Sequence, residues 1–176
     1  MNSWVSELQA SIRDTHTLLS ALNLGPADFP ELDLSPQFPL RVPIAFVDRM
    51  QKGDRNDPLL KQVLSVKHER QVVVGYSEDP LDERRTGSSG VLHKYRSRVL
   101  VILRGGCAVN CRYCFRRHFP YDDHTLTKRS IPKLLAYLTA NTSVNEVIFS
   151  GGDPLMADDT DLTYKSIETY LWGMRT

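Results

Sequence analysis

Cysteine is scarce in this chain: there are three in 176 residues, all between positions 107 and 114. An odd, clustered set excludes a disulfide framework of the kind that staples small secreted domains. No stretch approaches the ~18 consecutive apolar residues of a membrane-spanning helix. Charge of one sign is also missing. With 22 basic and 21 acidic residues the net charge is +1, which gives no reason to expect a nucleic-acid or acidic-surface partner. The opening "MNSWVSELQASIRD" has no basic region followed by an apolar run, so it does not read as a secretory signal. Solenoid-period repeats and low-complexity tracts are lacking too. These absences predict a cytoplasmic protein with free or metal-bound thiols, no membrane and no nucleic acid.

Hydrophobic residues at 41% and charged residues at 24% are those of a soluble globular chain, long enough to bury a real core. Residues 1–24 read as one amphipathic helix, with Trp4, Leu8, Ile12, Leu19 and Leu22 near helical spacing and Gly25-Pro26 as the stop. "PADFPELDLSPQFPLRVP" carries five prolines and must be extended or turning. "PIAFVDRMQKG" and "DPLLKQVLSV" predict two short helices, with Gly53 ending the first. "ERQVVVGYSEDPLDERRTGSSG" reads as a short strand and a polar connector. The boundary expected near Gly90 separates an N-terminal helical region, 1–90, from an α/β region, 91–176.

Beyond it, "SRVLVILRG" is a near-continuous Val, Ile and Leu run, as in a strand buried on both faces. "SIPKLLAYLTAN" predicts a helix with Ser130 as N-cap and Pro132 in its first turn. "NEVIFSGGDPL" predicts a second strand ending in a glycine turn, and "ADDTDLTYKSIETYLWGM" a closing helix. Strand, helix, strand, helix implies parallel βα units.

Between the two strands lies "RGGCAVNCRYCFRRHFPY", with Cys107, Cys111 and Cys114 at C-x3-C-x2-C. Thiolates are soft ligands that select zinc, copper(I) or iron–sulfur clusters. Three thiolates on a four-iron cluster leave one iron open for a small chelating molecule. A structural zinc site needs a fourth ligand, for which His118 is the candidate.

The spacing, with Tyr113 just before the last cysteine, resembles the signature of radical S-adenosylmethionine (SAM) enzymes. That resemblance implies a 4Fe-4S cluster on Cys107, Cys111 and Cys114, with SAM on its open iron and Tyr113 near the adenine. "FSGGDPL" then supplies the SAM site through Ser150, Gly151, Gly152 and Asp153. Asp153 is equally read as a helix cap. "LHKYRSRVLVILRGGC", "IFSGGDPLM" and the upstream "FPLRVPIAFVDRMQKGDRNDPLLKQVL" narrow the likeness to the lysine 2,3-aminomutase family. The bacterial branch it resembles makes (R)-β-lysine from L-lysine for modification of translation elongation factor P.

The resemblance implies pyridoxal phosphate (PLP) as a third cofactor, with Lys94, Tyr95 and Arg98 near its phosphate and Arg116 on the substrate carboxylate. It also implies an electron donor such as flavodoxin or ferredoxin, and allows a homo-oligomer. The fold implied is an N-terminal helical region followed by the first βα units of an incomplete TIM-like barrel. A full barrel takes ~250 residues. Nothing here corresponds to the family's PLP Schiff-base lysine, so the catalytic residue is unassigned and a truncated form lacking turnover is expected. A different radical SAM reaction, or a non-enzymatic metal-binding fragment, stand as alternatives.

Overall fold

A computed structural model describes residues 3–88 and 90–157. The chain is a mixed α/β protein and divides into two compact units. The first holds the described residues up to Glu78 together with Ala108–Arg117; the second holds Asp79–Cys107 and resumes at His118.

In the first unit the expected single N-terminal helix is two: α1, Ser3–Gln9, and α2, Thr15–Ala21. Ile12 leaves the helix to pair with Val42, each amide donating to the other's carbonyl at 2.8 and 2.9 Å. Asp14 then restarts it. Its carboxylate accepts from the Thr17 amide at 2.7 Å and the Thr17 hydroxyl at 2.8 Å, as an N-cap does. The stop comes before Gly25. Asn23 adopts φ of +56°, the Leu24 amide donates to the Leu19 carbonyl at 2.9 Å and the Asn23 amide to Ser20 at 3.1 Å, a Schellman ending. Leu18, Leu19, Leu22, Val42 and Leu60 are fully buried and form the centre of this unit. The proline-rich stretch is irregular, as its prolines require.

The two short helices exist but are brief: α3, Ile44–Val47, and α4, Leu60–Val63. The first ends at Val47, before Gly53. Asp57 organises the start of the second, accepting from the amides of Leu59 and Leu60, both at 2.8 Å, and from Gln51 at 3.0 Å. The strand expected in "ERQVVVGY" does not form. Val72 and Val74 are 97% and 99% exposed, and among the described residues no neighbouring strand offers this segment a ladder.

The second unit is a mixed sheet with helices. After α5, Glu83–Thr86, come β1, Gly87–Ser88, β2, Val91–Tyr95, and β3, Arg98–Arg104. They are followed by α6, Tyr121–His124, α7, Ile131–Ala140, and β4, Glu146–Gly151. The strand order is β1-β2-β3-β4, antiparallel at the first two pairings and parallel between β3 and β4. The expectation of parallel βα units thus holds for β3–α7–β4, while the hairpin of β2 and β3 is an antiparallel addition. Its two-residue Arg96-Ser97 connection lacks the Asn-Gly signal that marks such turns in sequence.

β3 is buried on both faces, as its composition implies. Val99, Val101 and Leu103 pack with Leu134, Leu138 and Val144, while Ile102, one step out of phase, packs with Leu92 and Phe119. Ser130 stands at the N-cap of α7 but bonds elsewhere: its hydroxyl accepts from the Thr127 amide at 2.8 Å. The closing helix of the sequence reading lies, but for its first residue, outside the described residues.

Candidate functional site

The strand ends of the second unit carry Cys107 and the glycine turn. β3 and β4 pair from Arg98 opposite Glu146 to Arg104 opposite Gly151, with a register shift between Ile102 and Arg104, and their C-terminal ends arrive together. Past the ladder the two chains stay laced. The Gly152 amide donates to the Arg104 carbonyl at 2.7 Å, and the Asp153 amide donates to the Gly106 carbonyl at 2.9 Å. Cys107 leaves β3 directly beside the glycine turn.

The glycines are sterically required there. Gly151 has φ of +144°, and a Cβ on it would fall 2.1 Å from the Arg104 carbonyl oxygen. A Cβ on Gly152 would lie 2.5 Å from the Gly106 oxygen and 3.0 Å from Cys107 Sγ. Ser150 precedes them in β4, opposite Ile102. Asp153 Oδ1 accepts from the Leu155 amide at 3.0 Å and caps the short turn Pro154–Met156.

The other two cysteines sit on a segment of the first unit. The Cys114 amide donates to the Cys111 carbonyl at 3.1 Å, closing a turn between them. The Arg112 amide donates to the Gln62 carbonyl at 2.8 Å, and the Tyr113 hydroxyl to Gln62 Oε1 at 3.2 Å. Asn110 is tied to Arg41 and Pro39. Arg112 and Arg117 both meet Glu69, at 2.8 and 2.9 Å. Arg116 is not the exposed charge that "FRRH" could have been. It is 8% exposed, with its guanidinium 5.0 Å from the Phe115 ring.

None of the three cysteines is in a disulfide, and each is partly exposed. Among the described residues no group of three His, Cys, Asp or Glu side chains that could hold a metal ion is found. The donor chemistry suits a soft metal or cluster: three cysteines outside any disulfide, one of them against a glycine turn that has no side chain in the way.

Lys94, Tyr95 and Arg98 gather only in part. Tyr95 faces Arg98 across the hairpin, with the guanidinium 5.9 Å from its ring. Arg98 pairs with Glu146 at 2.9 Å, and the Lys94 ammonium donates to the Leu81 carbonyl at 2.8 Å. Arg98 opens β3 and Arg104 closes it, so these residues stand ~20 Å along the strand from the glycine turn.

Residues 101–171, which include the cysteines and the glycine turn, match the radical SAM superfamily. The chain belongs to the radical SAM superfamily. This radical SAM chain is 46% identical over 163 residues to L-lysine 2,3-aminomutase of Escherichia coli, covering 92% of itself and 48% of that protein. It is 47% identical over 164 residues to the enzyme of that name from Haemophilus influenzae, with 92% and 48% covered. The Clostridium subterminale protein of that name is 32% identical over 121 residues, 68% of this chain and 29% of the relative. These relatives are enzymes, isomerases by name. The chain spans about half the length of the Escherichia coli and Haemophilus influenzae proteins. No helix of the described residues is long and apolar enough to cross a membrane.

Three residues that hold these candidate segments were not legible in sequence. Glu69 and Gln62 hold the cysteine segment from 40 or more positions away, and no local pattern marks them. Tyr121, whose hydroxyl donates to the Gly151 carbonyl at 3.1 Å, lies in the quoted motif but reads there as one more aromatic.

Proposed function

We propose that this chain carries the cluster- and SAM-binding portion of an L-lysine 2,3-aminomutase. The reaction would convert L-lysine to (R)-β-lysine, in the branch that modifies translation elongation factor P. The observation that carries the reading is the placement of Cys107 against Gly152 at the joint end of a parallel strand pair. Ligands of parallel α/β folds bind at that edge.

Cys107, Cys111 and Cys114 would hold a 4Fe-4S cluster. Tyr113, Ser150, Gly151, Gly152 and Asp153 would hold SAM, Lys94, Tyr95 and Arg98 the PLP phosphate, and Arg116 the substrate carboxylate. When bound, these groups supply radical hydrogen abstraction and a covalent hold on the migrating amine. The chain's own work is placement. Gly151 and Gly152 bring backbone close to a ligand without side-chain obstruction. Asp153 and Tyr121 fix the turn that presents it. Arg116, desolvated beside Phe115, offers a planar fork suited to a carboxylate. The parallel pair β3 and β4 would be the first two strands of a TIM-like barrel. A cytoplasmic setting, a flavodoxin or ferredoxin as electron donor, and a homo-oligomer accord with this reading.

Anaerobic reconstitution with iron and sulfide, followed by reduction in the presence of SAM, tests it. The expected result is a brown protein with about four irons per chain, typical of a three-cysteine radical SAM cluster, that releases 5′-deoxyadenosine and loses both properties in Cys107→Ser. A colourless protein holding one equivalent of zinc would overturn it in favour of a metal-binding module.

A further inference from the structure

Glu69 sits in the short 3-10 turn Lys67–Arg70, far in sequence from the cysteines, yet most of its bonding is to their segment. Its Oε1 accepts from the Val66 amide at 3.0 Å and lies 2.8 Å from Arg112 Nε, while its Oε2 accepts from Arg117 Nη1 at 2.9 Å. Arg117 Nη1 also donates to the Arg112 carbonyl at 2.9 Å, closing the loop on itself. The Arg117 guanidinium lies 5.4 Å from the Phe38 ring.

The setting gives these bonds weight. The side chains of Glu69, Arg112 and Arg117 are 15%, 26% and 17% exposed, well short of the solvated pairs whose attraction water screens away. Charge-assisted bonds in such surroundings are about twice as strong as neutral ones. Arg112 stands between Cys111 and Cys114, and Arg117 follows Cys114 by three positions. One carboxylate thus grips the thiol-bearing turn on both sides of Cys114 and offsets part of the repulsion between two guanidinium groups.

We propose that Glu69 is a positioning residue for the cluster ligands. It holds the Cys111–Cys114 turn in a fixed conformation before metal arrives, so that binding does not have to order it. The metal consequence rests on the cluster reading above; the thiol consequence does not.

The experiment uses the full chain in the apo form under anaerobic, reducing conditions. Wild type, Glu69→Gln and Glu69→Asp are alkylated with iodoacetamide, and the rate at each cysteine is resolved by mass spectrometry. Rates are compared on the high-pH plateau, where every thiol is ionised and a charge effect on ionisation drops out. Glu69→Gln is expected to raise the rates of Cys111 and Cys114 about tenfold, the factor that ~1.4 kcal/mol of lost restraint represents. Cys107, held by the β3 end, should stay within about twofold of its wild-type rate, a change worth under ~0.5 kcal/mol. Glu69→Asp, too short to reach both arginines, should fall between.

Unchanged rates at Cys111 and Cys114 overturn the proposal. So does an equal rise at all three cysteines, which would make Glu69 a general stabiliser of the fold. A metal arm follows on reconstituted protein, where Glu69→Gln should lose iron to a chelator about tenfold faster than wild type. Equal loss would overturn the metal consequence. Should wild type itself bind no iron, the cluster reading fails while the alkylation rates still decide the role of Glu69.

Discussion

The Tyr121 hydroxyl donates to the Gly151 carbonyl oxygen at 3.1 Å, and the same ring packs on Gly105 so closely that a Cβ there would lie 2.7 Å from Tyr121 Cβ. One aromatic side chain therefore braces both strand ends that form the candidate SAM edge. Tyr121→Phe keeps the ring and removes the bond, which for a neutral pair is worth about 1 kcal/mol. We expect SAM binding to weaken about fivefold with iron content unchanged. Isothermal titration of the reconstituted variant would show this, and wild-type affinity would leave Tyr121 with a packing role only.

Gly152→Ala tests the close approach more severely. The added methyl would meet the Gly106 oxygen at 2.5 Å and Cys107 Sγ at 3.0 Å, and the backbone contact cannot be relieved by a side-chain rotation. Overpacking of this kind costs about 1–3 kcal/mol. Both the urea midpoint and the iron bound per chain are expected to fall, although all three cysteines remain. Full iron loading with unchanged stability would show that the turn tolerates a side chain.

Acid sensitivity should trace to Asp33. Hydrogen bonds from Arg70, Nε to Oδ2 and Nη2 to Oδ1 at 2.6 Å each, hold its carboxyl below the usual value. The Ser35 amide at 3.0 Å assists, and burial opposes. A depressed folded value stabilises the fold above the unfolded pKa of about 3.9, and that contribution disappears as pH falls through the folded value. Asp33→Asn should therefore lower the urea midpoint at neutral pH and flatten its decline below about pH 4. Parallel acid limbs in the two proteins would assign the sensitivity elsewhere.

Val72 and Val74 point the other way. At 97% and 99% exposed they contribute almost no burial, so Val72→Lys and Val74→Lys should change stability by no more than about 0.5 kcal/mol. Breaking a β-prone apolar run should also raise solubility. Thermal unfolding and a concentration limit measure the two effects, and a loss above ~1 kcal/mol would mean that these side chains are buried in solution.

Much of the second unit was legible because its signals are local. The apolar run of β3, the period of α7 and the glycine turn after β4 each declare themselves within ten residues, and all three stand where expected. The first unit was less so. Its N-terminal helix breaks because Ile12 finds Val42, thirty positions on, and helical spacing reports only that Ile12 is buried, not against what. The "VVV" run shows the converse: β propensity without a neighbouring strand yields an exposed, irregular segment.

By itself the sequence determined the chemistry on offer, three soft thiol ligands at C-x3-C-x2-C and a turn that only glycine can make, since ligand type and backbone freedom are properties of single residues. Only the tertiary structure decided what holds them. It set Cys107 against Gly152, Tyr121 on Gly151 and Glu69 between Arg112 and Arg117, because such contacts depend on where distant segments of chain return, which no local pattern encodes.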